Sequence, residues 1–232
     1  VDAHAGEVVV SAAVSLTETL QQVARAHEAA SGERVTLNLG ASNALARQIV
    51  SGARVDLFIS ADEAQMDRVR AEIVDGTRVD LLLNQLAIVV PDDRSGRVAS
   101  PRDLADPAVR RIAIGDPAAV PAGVYARMYL ERLGLWSVLR PKIVPSGSVR
   151  LALTAVERGA ADAAIVYRTD LVSARGARAV LVVPLGEGPR IVYPAAVIRS
   201  GANVDGGRRF LAFLRTATAA AIFAQAGFTP VP

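Results

Sequence analysis

The chain contains no cysteine, two histidines and a single lysine, and only 4% of its residues are aromatic. Without cysteine it can form no disulfide, no thiol nucleophile and no thiolate metal site. His4 and His27 stand too far apart for an HExxH helix or any other close pair, which argues against a histidine-based zinc centre. Also missing are GxxxxGK[ST], GxGxxG, GxSxG and SxxK, so the common phosphate-loop, dinucleotide and serine-nucleophile signatures are absent. No apolar stretch approaches the roughly 18 residues that span a bilayer. The net charge of +3 is not a nucleic-acid signal: all but one of the 26 basic residues are arginines scattered among 23 acids, with no block of five like charges. The polar opening at residues 1–6 is no signal peptide, and suits either a cytosolic chain or one that begins after a cleaved leader.

What the chain does have is apolar substance, with 51% hydrophobic residues over 232, enough for one large or two small domains. Short apolar runs alternate with segments of helical period, the pattern of an α/β protein with parallel-type sheets flanked by helices. Strands are predicted at 7–11, 34–39, 56–60, 111–114, 142–144, 163–167 and 179–183. Helices are predicted at 15–31, 43–50, 123–133, 149–158, 204–215 and 217–226, with Gly32 and Gly227 as stops. Asp62 is placed to cap another helix. Two longer runs, 81–90 and 190–198, the second interrupted by Pro194, suggest a chain that crosses between two lobes and returns. The lobes would be 1–83 with 194–232, and 84–193, with crossings near 82–86 and 191–195; a single continuous sheet is the alternative.

The informative residues stand where helices begin. Ser15-Leu16-Thr17-Glu18 reads as a capping box, Ser42 directly precedes the second helix, and Val120-Pro121-Ala122-Gly123 and Ser146-Gly147-Ser148-Val149 open two more. Gly123 lets backbone approach something closely. Each serine is singly a cap, but in parallel α/β lobes all strand-to-helix turns lie at the carboxyl ends of the strands, where ligands bind. Free first-turn amides and the positive helix end there favour an anion. Tyr167 closes a strand of small and branched residues, which brings its hydroxyl to the same edge. Asp56 and Asp62 bracket a strand as a carboxylate pair does in an acid–base site, although Asp62 is more simply a cap. Arg150 and Arg168 are either solvated or at a cleft rim, steering an anion. Met66, Met128 and Trp136 read as packing residues, and neither histidine has support as a base.

Several runs together resemble the molybdate-binding proteins of bacterial ABC importers: 13–17, 45–49, Asp56-Leu57-Phe58-Ile59-Ser60-Ala61-Asp62, 115–117, Val120-Pro121-Ala122-Gly123-Val124-Tyr125-Ala126, 156–158, 165–167 and the closing 222–228. The resemblance implies a two-lobed type II periplasmic binding-protein fold with the ligand cleft between lobes. It implies capture of molybdate, and also of tungstate, by neutral donors: hydroxyl and backbone N–H from Ser15 and Ser42, backbone N–H from Ala122 and Val149, and the hydroxyl of Tyr167. It further implies no enzymatic activity, no cofactor and no nucleic-acid partner, but a membrane permease partner and a monomeric periplasmic chain after removal of a signal peptide. The sequence departs from the family pattern at Val14, where a small residue is usual, at Gly40-Ala41 before Ser42, and at Ser146-Gly147-Ser148, a stretch that is often acidic. Beside this reading stand an anion-sensing effector domain, though the chain lacks a helix-turn-helix segment, a receptor for sulfate or an organic anion, and an enzyme on the same lobes.

Overall fold

The alternation of apolar runs and amphipathic segments produces two mixed sheets with helices packed on them. A computed structural model describes residues 6–94 and 98–231; His4 and the remainder of the opening five residues lie outside that range. In chain order the elements are β1 (Val8–Ala13), α1 (Thr17–Ser31), β2 (Val35–Gly40), α2 (Ser42–Val50), β3 (Leu57–Ile59), α3 (Glu63–Arg68), β4 (Val79–Asn84) and β5 (Leu86–Pro91). Then follow β6 (Ile112–Gly115), α4 (Pro121–Arg132), α5 (Trp136–Leu139), β7 (Ile143–Ser146), α6 (Val149–Glu157), β8 (Ala163–Tyr167) and β9 (Ala177–Val182). The last are β10 (Ile191–Val197), α7 (Val204–Leu214), α8 (Ala217–Gln225) and β11 (Thr229–Pro230). The chain divides into two units, Val1–Leu83 with Val192–Pro232, and Asn84–Ile191.

The first unit carries a six-stranded sheet of order β11-β4-β10-β3-β1-β2. β1 runs parallel to β2 and β3, whereas β10 is antiparallel to β3 and β11 to β4. The second unit carries five strands in the order β7-β6-β8-β5-β9, with β6 parallel to β7 and β8, and β5 antiparallel to β8 and β9. Each sheet thus has the expected parallel core, joined by antiparallel strands that periodicity did not reveal. Parallel neighbours need a crossover helix. β5 follows β4 across the single residue Gln85, and no helix stands between β9 and β10; both links carry the chain from one sheet to the other, so neither is a parallel crossover within a sheet. The run 81–90 is accordingly two strands in two sheets, and the tail that looked wholly helical ends in the short strand β11, where Thr229 faces Leu83.

Burial follows the pleat. On one face of the first sheet, Leu45, Ala46 and Ile49 of α2, Met66 of α3, Phe58 of β3 and Ala196 of β10 form one cluster, against which Val9 packs. Val8 and Val10, alternating with Val9, turn the other way and are fully buried. α1, α7 and α8 pack on one another, and α7 also on β1 and β3. Their junction is a polar clasp. His27 lies edge-on to Phe210 and Phe213, both ring centroids 5.0 Å away, and meets Glu33 at 3.2 Å. Arg209 Nη2 donates to the same carboxylate at 2.6 Å. Burial by itself raises the Glu33 pKa, but hydrogen bonds from Arg209, His27 and Asn203 and the guanidinium charge outweigh it and hold the carboxyl below its ordinary value. In the second unit α4 and α6 both pack on β6, β8 and β5, and β8 is buried along its whole length, as a strand covered on both faces must be.

Candidate functional site

Strand register places the first two candidates. Ala13 of β1 and Gly40 of β2 are paired, and Ser15 and Ser42 each stand two residues further on, beyond the carboxyl ends of adjacent parallel strands. Neither is a cap, contrary to the sequence reading. Ser15 lies in a 3-10 turn, Val14–Leu16, so α1 starts after it with Leu16 at the N-cap and no side-chain cap bond; the Ser15–Glu18 capping box does not form. The extra turn carries the hydroxyl away from the first helical amides, and Ser15 Oγ instead lies 2.9 Å from the Tyr193 hydroxyl. Ser42 is itself the first residue of α2, with Ala41 as N-cap, and its Oγ accepts from the Ala61 N–H at 3.0 Å.

Ala61 and Tyr193 come from the next two strands of the same sheet. β10 pairs with β3 so that Ala195 faces Ile59; continuing that register puts Tyr193 opposite Ala61, and Ser60 N–H donates to the Pro194 carbonyl at 3.0 Å. The ends of β1, β2 and β3 and the start of β10 therefore share one edge. Pro194 cannot donate back to Ser60, but it stands beyond the last paired residue of β3, where only the one bond to its carbonyl is made. Sequence reasoning singled out neither Ala61 as a donor nor Tyr193 at all. The available signal was that Tyr193 is the one side chain with a polar tip between Ile191 and Ile198.

The carboxylates bracketing β3 have separate structural duties and form no acid–base pair. Asp56 accepts from the N–H groups of Val9 at 2.7 Å and Asn203 at 2.6 Å, tying β1 to the start of α7. Asp62 caps α3, accepting from Gln65 N–H at 2.8 Å, as its position promised. Burial pushes the Asp62 carboxyl above its ordinary range, against the opposing pull of the Gln65 amide and the Ser60 hydroxyl.

In the second unit Gly115 of β6 faces Ser146 of β7. Val149 opens α6 three residues past Ser146, and Ser148 caps that helix, accepting from Leu151 N–H at 3.2 Å. Ala122 is the second residue of α4, behind Pro121 at a position where a missing N–H costs nothing. Gly123 makes the close approach expected of it, but to the protein itself: a Cβ there would sit 1.9 Å from the Gly115 carbonyl oxygen. Tyr167 ends β8, which runs parallel to β6, and is 1% exposed. Its backbone N–H donates to Asp170 at 2.9 Å. Ala122, Val149 and Tyr167 thus stand at the carboxyl ends of three neighbouring strands, β6, β7 and β8.

Each unit on its own therefore collects neutral donors at one sheet edge. The amides of Ser42, Ala122 and Val149, in the first turns of α2, α4 and α6, have no acceptor within their helices, and the helix dipoles put partial positive charge there. Such an edge binds anions. Neither histidine-type nor serine–histidine chemistry is assembled among the described residues: His27 is committed to the Glu33 clasp, and the hydroxyl next to Ser15 is a phenol. Arg150 donates to Ser173 Oγ and Arg168 to Gln85 Oε1, the latter at 2.9 Å. Met66 is buried and Trp136 half-buried beneath the Arg127 guanidinium, 5.5 Å from the ring centroid. Met128, read as packing, is instead 49% exposed, because it shares the outer face of α4 with Glu131 and Arg132. Among the described residues no group of three or more His, Asp or Glu side chains is arranged to hold a metal ion, and no helix is long and apolar enough to cross a membrane.

Residues 8–229 match the family model described as bacterial extracellular solute-binding protein. The chain is 38% identical over 238 aligned residues to the molybdate-binding protein ModA of Escherichia coli (strain K12), covering 98% of this chain and 90% of that protein. It is 32% identical to the molybdate-binding protein ModA of Haemophilus influenzae, over 98% of this chain and 91% of that one. Among solved structures, the periplasmic molybdate-binding protein of Azotobacter vinelandii superposes with a TM-score of 0.85 at 26% identity, covering 97% of this chain and 99% of the other.

Proposed function

Because the chain belongs to the bacterial extracellular solute-binding proteins, we propose that it captures molybdate outside the cytoplasm and hands it to the permease of an ABC importer. Tungstate, nearly the same size and charge, is its second ligand. The donors are the hydroxyl and backbone N–H of Ser15 and Ser42, the backbone N–H groups of Ala122 and Val149, and the Tyr167 hydroxyl. The protein acts as a monomer in the periplasm, without cofactor or chemical step.

The observation that supports this most directly is the register. Ser15 and Ser42 stand level beyond paired residues of β1 and β2, and Ala122, Val149 and Tyr167 follow the ends of three adjacent strands. These are the positions at which parallel α/β sheets take ligands. A doubly charged oxyanion held by neutral donors avoids the desolvation that a buried guanidinium partner imposes. Each charge-assisted hydrogen bond contributes about 1.5–3 kcal/mol, so five donor residues suffice for tight binding.

Selection follows from the same set. Sulfate is too small to reach all the donors together, and phosphate keeps a proton at neutral pH that needs an acceptor the set does not supply. Native mass spectrometry of the purified chain, followed by titration calorimetry with molybdate, tungstate, sulfate and phosphate, tests the proposal. Tight binding of the first two alone is the expected result. Sulfate binding as tight as molybdate binding, or no binding of any of the four, overturns it.

A further inference from the structure

Resting on that oxyanion site, we infer that Tyr193 is a positioning residue that makes the Ser15 hydroxyl a dedicated donor. The two oxygens are 2.9 Å apart and both residues are buried. The Tyr193 ring stands edge-on to Phe228, with centroids 5.4 Å apart and planes at 78°, and Phe228 in turn packs edge-on to Phe223. With its ring wedged and its backbone in β10, Tyr193 holds its oxygen at a set point, and only the two hydroxyl hydrogens are left to arrange themselves.

One hydrogen lies between the two oxygens and the other points elsewhere. A phenol is the more acidic hydroxyl and, with a lone pair delocalised into its ring, the poorer acceptor. The link is therefore Tyr193 O–H donating to Ser15 Oγ, which leaves the Ser15 hydrogen directed outward. An anion in front of Ser15 reinforces the same order, because a donor chain that ends on a negative charge polarises each of its members.

Ser42 is set in the same way by different means. The Ala61 N–H occupies its oxygen at 3.0 Å, so its hydrogen too is left to face a ligand. Both serine oxygens thus receive a hydrogen bond from the protein, which turns each hydroxyl from an ambivalent group into a donor. A fully deprotonated oxyanion satisfies such a pair, while a ligand that must donate a proton of its own does not. Tyr193 therefore contributes to selectivity without touching the ligand.

The test is a double-mutant cycle on the full chain with Tyr193→Phe and Ser15→Ala, read by calorimetry with sodium molybdate and with inorganic phosphate. Phenylalanine keeps the ring against Phe228, and thermal unfolding of the unliganded variants confirms that packing. Tyr193→Phe is expected to weaken molybdate binding roughly threefold to tenfold, the value of one uncharged hydrogen bond, and to narrow the gap between molybdate and phosphate. In the Ser15→Ala background the same change should have no further effect on molybdate. An equal loss in the native chain and in Ser15→Ala, or no loss when Tyr193→Phe is made in the otherwise native chain, overturns the inference while leaving the oxyanion site standing. A native chain that binds no molybdate removes the proposed function and this inference with it.

Discussion

Replacing Ser42 with alanine removes an oxygen that serves the fold and, on our proposal, the ligand. Ser42 is 1% exposed and its Oγ accepts the Ala61 N–H at 3.0 Å; Ala61 is itself buried at 4% exposure. Deleting the hydroxyl leaves that amide without its acceptor, at a cost of about 1–3 kcal/mol for a buried unsatisfied donor. For a chain of this size each kcal/mol corresponds to roughly 2–4 °C in Tm, so the unliganded variant should melt about 2–12 °C lower. Loss of one charge-assisted hydrogen bond to the oxyanion should separately weaken molybdate binding by about 1.5–3 kcal/mol, or roughly 10- to 150-fold. Calorimetric melting without ligand measures the first effect, and isothermal titration well below Tm measures the second. An unliganded Tm unchanged to within about 1 °C would refute the role given to the Ala61–Ser42 bond. An unchanged affinity would remove Ser42 from the site.

The remaining predictions separate donors from scaffolding. Val149→Pro deletes one backbone N–H at the first position of α6, where proline is well tolerated and the extended Ser148 ahead of it is compatible; molybdate affinity should fall by about 1.5–3 kcal/mol with Tm held, and full affinity in calorimetry would exclude that amide. Gly123→Ala drives a methyl into the Gly115 carbonyl, two pieces of backbone that cannot yield cheaply, so stability should fall by about 3 kcal/mol or more in urea unfolding; a native-like midpoint would contradict the packing of α4 on β6. Glu33, its carboxyl held below the ordinary 4.5, stabilises the fold fully above that pH and loses its contribution as pH falls through the depressed value. Glu33→Gln should therefore be less stable at pH 7 yet decline less steeply below pH 4.5 in urea midpoints measured between pH 7 and 3, and parallel pH curves for the two proteins would rule the clasp out.

Much of this architecture is legible in local pattern. Strand β8 falls at the predicted residues 163–167, Gly32 ends α1 in the left-handed region at φ 74°, and Asp62 and Ser148 cap the helices they precede. Such signals are carried within a few residues, by the periods of helix and strand and by the need of first-turn amides for an oxygen. The same local logic misassigned Ser15 and Ser42. A serine ahead of an apolar stripe looks like a cap whether or not its hydroxyl has a better partner elsewhere.

What the amino-acid order determined by itself is the strands of the parallel cores and most of the helices, and the fact that Ser15, Ser42, Ala122, Val149 and Tyr167 stand where strands give way to turns or helices. What only tertiary structure decided is how each group there is oriented and what occupies it. Ser15 meets a tyrosine 178 residues away, Asp56 reaches Asn203 across 147, and Gly123 is glycine because β6 lies against it. The physical reason is that a hydroxyl's role as donor or acceptor depends on its neighbours in space, and those neighbours are brought to it by strand pairing, which no local periodicity encodes.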